Sequence, residues 1–129
     1  MVEKSEISLY NSEWAIMEYL WEKAPRTVTQ IAKAMEEKTG WAKSTTKTLI
    51  SRIAVKGYLR YEAGGKARQY YPAIDRSEVV TAETENFLDR VYNGSFSMMV
   101  NAMAERKNLS QNEIDELRTI LDKIEEANQ

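Results

Sequence analysis

The stretch WAKSTTKTLISRIAVK, residues 41–56, separates into two faces as soon as it is wound into a helix. At about 100° per residue, Ala42, Thr46, Leu49, Ile50 and Ile53 fall on one arc, an apolar face fit to sit on a small core. Ser44, Thr48 and Ser51 run along the opposite arc, flanked by Lys47 and Arg52. Short hydroxyls bracketed by cations suit the base edges and phosphates of a duplex, whereas a merely solvated face carries Glu and Lys more often. The stretch therefore predicts a DNA recognition helix. Ser44, Thr45, Lys47, Thr48 and Ser51 would address bases, with Lys43 and Arg52 on phosphates. Lys47 is the natural guanine reader, because lysine donates to O6 and N7.

Working outward toward the N-terminus, Thr27-Val28-Thr29-Gln30 forms a capping box and predicts a second helix with Ile31, Ala34 and Met35 on its inner stripe. Thr39 and Gly40 stop it. The short link to Ala42 suits a helix-turn-helix pair, with Trp41 packed at the corner. A first helix is expected from Asn11 or Ser12, either of which can cap it, to about Lys23. Trp14, Met17, Leu20 and Trp21 take core spacing, Ala24 and Pro25 end the helix, and residues 1–10 read as a loosely held lead-in.

On the other side, Gly57 fits a left-handed helix terminator, and Tyr58-Leu59-Arg60-Tyr61 alternates as a strand does. Gly64 and Gly65 supply the positive φ of a hairpin tip, Gln69-Tyr70-Tyr71 returns, and Pro72 ends the strand. Gly65-Lys66 is not a phosphate loop, since that motif needs glycine at position 60 and Ser or Thr at 67, where Arg60 and Ala67 stand. Three helices and a hairpin with a basic tip describe a winged helix, with Lys66 and Arg68 as phosphate contacts of the wing.

Composition narrows the chemistry. The chain of 129 residues has no cysteine and no histidine, which removes disulfides, thiol nucleophiles, imidazole catalysis and nearly every zinc or copper site. No cofactor and no metal are expected. Its net charge of −2 conceals a division, because residues 1–72 hold 12 Lys and Arg against 8 Asp and Glu, whereas residues 73–129 hold 6 against 12. Within residues 40–72, Lys43, Lys47, Arg52, Lys56, Arg60, Lys66 and Arg68 face only Glu62. Glu3, Glu6, Glu13 and Glu18 leave no room for a signal peptide, and no apolar run approaches the roughly 20 residues of a membrane span, so a cytoplasmic protein without membrane insertion is expected.

From Asp75 onward the chain is acidic and reads as helical. Asp75 or Ser77 would cap a helix lined by Val80, Phe87, Leu88 and Val91 and broken at Tyr92-Asn93-Gly94. Phe96, Met99, Val100 and Met103 mark a second, ending near Lys107. Leu109, Ser110 and Glu113 form a staple and capping box opening a third, where Leu109 meets Ile114 and Leu117, Ile120, Leu121 and Ile124 continue the stripe. Three amphipathic helices of this length cannot bury so many apolar side chains alone, and a helix-turn-helix reads one half-site per copy. The expectation is a homodimer, with residues 1–73 as the DNA-binding domain and 74–129 as the dimerisation domain. Its interface would be Phe87, Leu88, Val91, Phe96, Met99, Val100, Met103, Leu117, Ile120, Leu121 and Ile124.

The run Trp14, Met17, Leu20, Trp21, then STTKTLISRI over residues 44–53, Lys56-Gly57-Tyr58 and Gln69-Tyr70-Tyr71 resembles the BlaI/MecI penicillinase-repressor family. The likeness continues through Phe87, Val91, Tyr92 and Phe96 to Leu109-Ser110-Gln111 and Glu116-Leu117-Arg118. It implies a mainly α protein, a winged helix followed by a helical dimerisation region, that binds a palindromic operator and represses β-lactam resistance or related stress genes. It also implies a partner, a membrane-bound sensor metalloprotease that relieves repression by cutting the C-terminal region. Where the family has an Asn-Phe bond, this chain reads Ala102-Met103 with Asn101 one place earlier, so residues 101–103 are the candidate cleavage region. The CopY branch of the family carries C-terminal cysteine pairs, which are absent here. Two other classes compete: a winged helix that binds an acidic protein instead of DNA, and an enzyme resting on Glu36-Glu37 or Glu125-Glu126, pairs better explained as solvated helix surface.

Overall fold

The computed structural model describes residues 7–106 and 108–129. In chain order come α1 (Asn11–Glu22), α2 (Val28–Thr39), α3 (Lys43–Val55), β1 (Leu59–Gly64), β2 (Ala67–Pro72), α4 (Arg76–Tyr92), α5 (Phe96–Arg106) and α6 (Gln111–Ala127). Two compact units result. The first runs through Asn86 and the second from Phe87 to Gln129, so α4 begins in one and ends in the other.

In the first unit the inner faces of α1, α2 and α3 meet over Ile16, Met17, Leu20, Ile31, Met35, Leu49, Ile50 and Ile53, all buried. The recognition-helix arc is as the periodicity predicts, except that Ala42 precedes the helix as its N-cap and is exposed. The α2 capping box forms as read: the Gln30 amide donates to Thr27 Oγ1 at 3.2 Å and the Thr27 amide to Gln30 Oε1 at 2.9 Å. Gly40 closes α2 at φ 80° and Gly57 follows α3 at φ 90°, the left-handed conformations expected of both. Of the two tip glycines only Gly65 is left-handed, at φ 72°, because Gly64 still pairs with Ala67 as the last residue of β1.

Several expectations change. Neither Asn11 nor Ser12 caps α1; the helix starts one residue earlier, and Glu13 reaches back to accept from the Tyr10 amide at 2.8 Å. Residues 7–10 are not a loose lead-in, since Ile7 and Leu9 are buried, Ser8 donates its amide to Tyr58 Oη at 3.0 Å and Leu9 to Glu83 Oε1 at 2.9 Å. Alternation of Ile7 and Leu9 around polar neighbours carries this packing, in a segment too short to show a period. Residues 1–6, and the expected helix end at Lys107, lie outside the described residues. Arg26 and Tyr70 exchange backbone hydrogen bonds of 3.2 and 2.9 Å, adding a one-residue third strand to the hairpin.

The start of α4 joins the first unit. Its amides at Glu78 and Val79 donate to the Asp75 carbonyl, and Val79 and Ala82 are buried in the core, whereas Val80 is exposed. The expected stripe through Val80 is thus displaced by one residue over the first turns, because this part of the helix faces the winged-helix core.

In the second unit none of the described residues is buried. Gly94, at φ 81°, returns its amide to the Leu88 carbonyl and ends α4. The Ser110–Glu113 box opens α6, with the Glu113 amide on Ser110 Oγ at 3.2 Å and Leu109 and Ile114 both half-buried.

Candidate nucleic-acid interface

The outward arc of α3 is free along its length: Lys43, Ser44, Thr45, Lys47, Thr48, Ser51 and Arg52 are exposed, while Thr46, Leu49, Ile50 and Ile53 between them are buried. The helix opens with Ala42, which has no side-chain acceptor; the Thr45 and Thr46 amides donate to its carbonyl at 3.1 and 3.2 Å, and the Lys43 and Ser44 amides keep their outward hydrogen-bonding capacity at the positive end of the helix dipole. Anionic groups are favoured there.

Beside this arc lies a groove of about 380 Å³ bounded by three elements. The start of α2 contributes Thr27 and Thr29, α3 contributes Lys43, Lys47 and Ser51, and β2 contributes Arg68, above a floor of Val28, Ile50, Ala67 and Tyr70. The structure therefore brings together four of the nine expected DNA-binding residues from two distant parts of the chain. Ser44, Thr45, Thr48 and Arg52 lie on the exposed face of α3 and do not line this groove, and Lys66 stands at the hairpin turn. Thr27 and Thr29 were missed as lining residues, because the sequence presents them as a helix cap and gives no sign that the cap faces Lys43 and Lys47.

Hydrogen bonding refines the arc. Thr48 Oγ1 donates to the Ser44 carbonyl at 3.0 Å, so its hydroxyl proton is used within the helix and what it presents outward is a lone pair and a methyl group. Such a side chain accepts from an adenine or cytosine amino group or packs on a thymine methyl; it is not poised to donate to guanine.

The cation count also divides. Lys56 Nζ sits 2.6 Å from Glu13 Oε1 and 4.4 Å from the Tyr10 ring centre, so it ties the end of α3 to α1. Arg60 is paired with Glu62 at 3.0 Å. Both are occupied within the protein. Lys43, Lys47, Arg52, Lys66 and Arg68, the cations expected at DNA, are the remainder of the seven in this region.

Residues 9–123 match the family described as "Penicillinase repressor". The chain belongs to the penicillinase repressor family. It is 34% identical over 113 residues to the methicillin resistance regulatory protein MecI of Staphylococcus aureus strain N315, covering 88% of this chain and 92% of that one. In fold it is similar to the DNA-binding domain of the repressor BlaI, with a TM-score of 0.53 and 23% identity over 60% of this chain and 93% of that one. It is likewise similar to Bacillus licheniformis BlaI in its monomeric form bound to the blaP half-operator, with a TM-score of 0.51 and 24% identity over 55% and 87% of the two chains. The family and the winged-helix fold that the motifs implied are thus established.

In this member of the family the apolar side chains expected at a dimer interface stand uncovered in the second unit. Phe87, Val91, Phe96, Met103, Leu117, Ile120, Leu121 and Ile124 are all between 36% and 56% exposed, and Leu88, Met99 and Val100 are half-buried. Part of this surface forms an apolar groove of about 320 Å³ between α5 and α6, lined by Val100, Met103, Leu109, Leu117 and Ile120. Asn101, Ala102 and Met103, the candidate cleavage region, lie inside α5, with Asn101 and Met103 exposed and Ala102 half-buried. Among the described residues no helix is long and apolar enough to cross a membrane.

Proposed function

We propose that the chain is a sequence-specific, DNA-binding transcriptional repressor, a regulator and not an enzyme, which binds a palindromic operator as a homodimer. The observation that carries this reading is the groove where Lys43, Lys47 and Ser51 of the recognition helix face Arg68 of the wing and the hydroxyls of Thr27 and Thr29. Supporting it, a family relative is the methicillin resistance regulatory protein MecI, and a fold relative, Bacillus licheniformis BlaI, forms a complex with the blaP half-operator. In this reading α3 enters the major groove, Ser44, Thr45, Lys47, Thr48 and Ser51 meet base edges, and Lys43, Arg52, Lys66 and Arg68 hold phosphates. Residues 1–73 carry DNA binding and 74–129 dimerisation, through the exposed apolar side chains of α4, α5 and α6. The controlled genes are those of β-lactam resistance or a related stress, and repression is relieved when a membrane-bound sensor metalloprotease acts on residues 101–103. Because these residues are helical, such a cut requires α5 to unwind locally, as a protease binds an extended segment.

Selection of bound duplexes from a random DNA library tests the reading. A recovered palindrome, bound more tightly than a random duplex of equal length, is the expected result, and equal affinity for both overturns it. With about four phosphates held by each copy, log K should fall with log salt at a slope of about −7.

A further inference from the structure

The two arginines of the wing are held in different ways. The register pairs Tyr61 with Tyr70 and Ala63 with Arg68, so these four residues share one face of the hairpin; Arg60 with Tyr71 and Glu62 with Gln69 occupy the other. On the second face Arg60 lies 4.2 Å from the Tyr71 ring centre and is also neutralised by Glu62. On the first face Arg68 lies 4.2 Å from the Tyr61 ring centre, and among the described residues no carboxylate pairs with it. Tyr61 in turn packs at 5.7 Å on Tyr70, whose ring is buried at the floor of the groove that Arg68 lines.

We infer that Tyr61 is a positioning residue for DNA binding: its ring holds the Arg68 guanidinium in a groove-facing orientation without cancelling its charge. An ion pair would restrain the arginine equally well but would remove the field that attracts a phosphate. A ring quadrupole restrains it and leaves the charge in place. The anchor for the stack is Tyr70, fixed by its backbone pair with Arg26, so the chain of contacts runs from the core through two rings to the cation. Arg68 then meets the duplex with less rotamer freedom left to lose, which is affinity gained by preorganisation and not by a new contact.

The inference rests on the DNA-binding reading, and the experiment separates the two. The full-length wild type, Tyr61→Leu, Tyr61→Phe, Arg68→Ala and the Tyr61→Leu/Arg68→Ala double variant are titrated against a duplex recovered by wild-type selection, across a range of salt. Thermal unfolding of each variant checks the fold. Tyr61→Phe should bind as the wild type does, since the ring face is kept. Tyr61→Leu should weaken binding by about two- to fivefold per engaged wing with the salt slope unchanged. Arg68→Ala should weaken binding and flatten the slope by about 0.9 per wing, and adding Tyr61→Leu to it should cost nothing further. An equal loss from Tyr61→Leu with and without Arg68, or Tyr61→Phe as weak as Tyr61→Leu, overturns the inference and leaves the DNA reading standing. So does an Arg68→Ala variant that binds as the wild type does. A wild type that prefers no duplex overturns both.

Discussion

Removing the cation that neutralises Glu13 should destabilise the winged helix more than removing the carboxylate charge itself. Glu13 has 0% exposure, and its Oε1 accepts from Lys56 Nζ at 2.6 Å and from the Tyr10 amide at 2.8 Å. Lys56→Met leaves a fully buried carboxylate without its counter-charge, a change that costs about 3–5 kcal/mol in dry interiors. Lys56 keeps 29% of its side-chain surface, so water replaces part of the lost partner and the expected cost falls to about 2–3 kcal/mol. Glu13→Gln keeps the volume and the acceptor for the Tyr10 amide, loses the charged part of the contact with Lys56, and puts an amide group where Oε2 is already buried without a partner, a total of about 1–2 kcal/mol. The double variant should cost less than the sum of the two, since no unpaired charge remains. All three tryptophans, Trp14, Trp21 and Trp41, lie in this unit, so urea unfolding followed by fluorescence reports on it. Lys56→Met costing no more than Glu13→Gln, or full additivity of the pair, would refute the view that burial of the carboxylate dominates.

Thr48→Val removes the outward lone pair but keeps shape and methyl, so preference at one base pair should relax by about 1–3 kcal/mol when variant duplexes are compared by competition. Lys66→Ala should lower affinity for all sequences alike and flatten the salt slope by about 0.9 per wing in anisotropy titrations, with base preference intact. Leu121→Glu places a charge amid the uncovered apolar face of α6, and sedimentation should find it monomeric where the wild type is dimeric; a wild-type monomer at micromolar concentration removes the proposed dimer altogether.

The recognition helix, the capping boxes of α2 and α6 and the middle of both wing strands were legible because each is written in local periodicity or in a short motif; the strands reach further than the alternation showed, through residues 62–64 and 67–68. What could not be read are the contacts made across many residues. Glu13 looks like one more acid on an exposed helix until Lys56 arrives from 43 positions later, and the Leu9 amide meets Glu83 from 74 positions away. The same holds for Val79 and Val80: both are apolar and adjacent, and only the packing of α4 on the first core decides which is buried. In the site, the cation count identified the basic region but could not say that Lys56 and Arg60 are already paired, or that the Thr48 proton is spent on a backbone carbonyl.

The proposed dimer gives the acidic half of the chain a quantitative role. A single winged helix offers one recognition helix and about four phosphate contacts, whereas two linked copies turn the second half-site into an intramolecular event at millimolar effective concentration. That linkage is worth about 10²–10⁴ in affinity without any added base contact. All of it depends on apolar side chains of α4, α5 and α6 that a single copy leaves open to water, and the candidate cleavage residues 101–103 lie inside α5, in the same unit. A cut there would leave every residue of the groove untouched and still abolish the linkage, so the operator would be released through loss of pairing and not through damage to recognition. The excess of carboxylates in residues 73–129 fits this division, because a surface that must meet another copy has no use for phosphate, and its charge keeps it from competing with α3 and the wing.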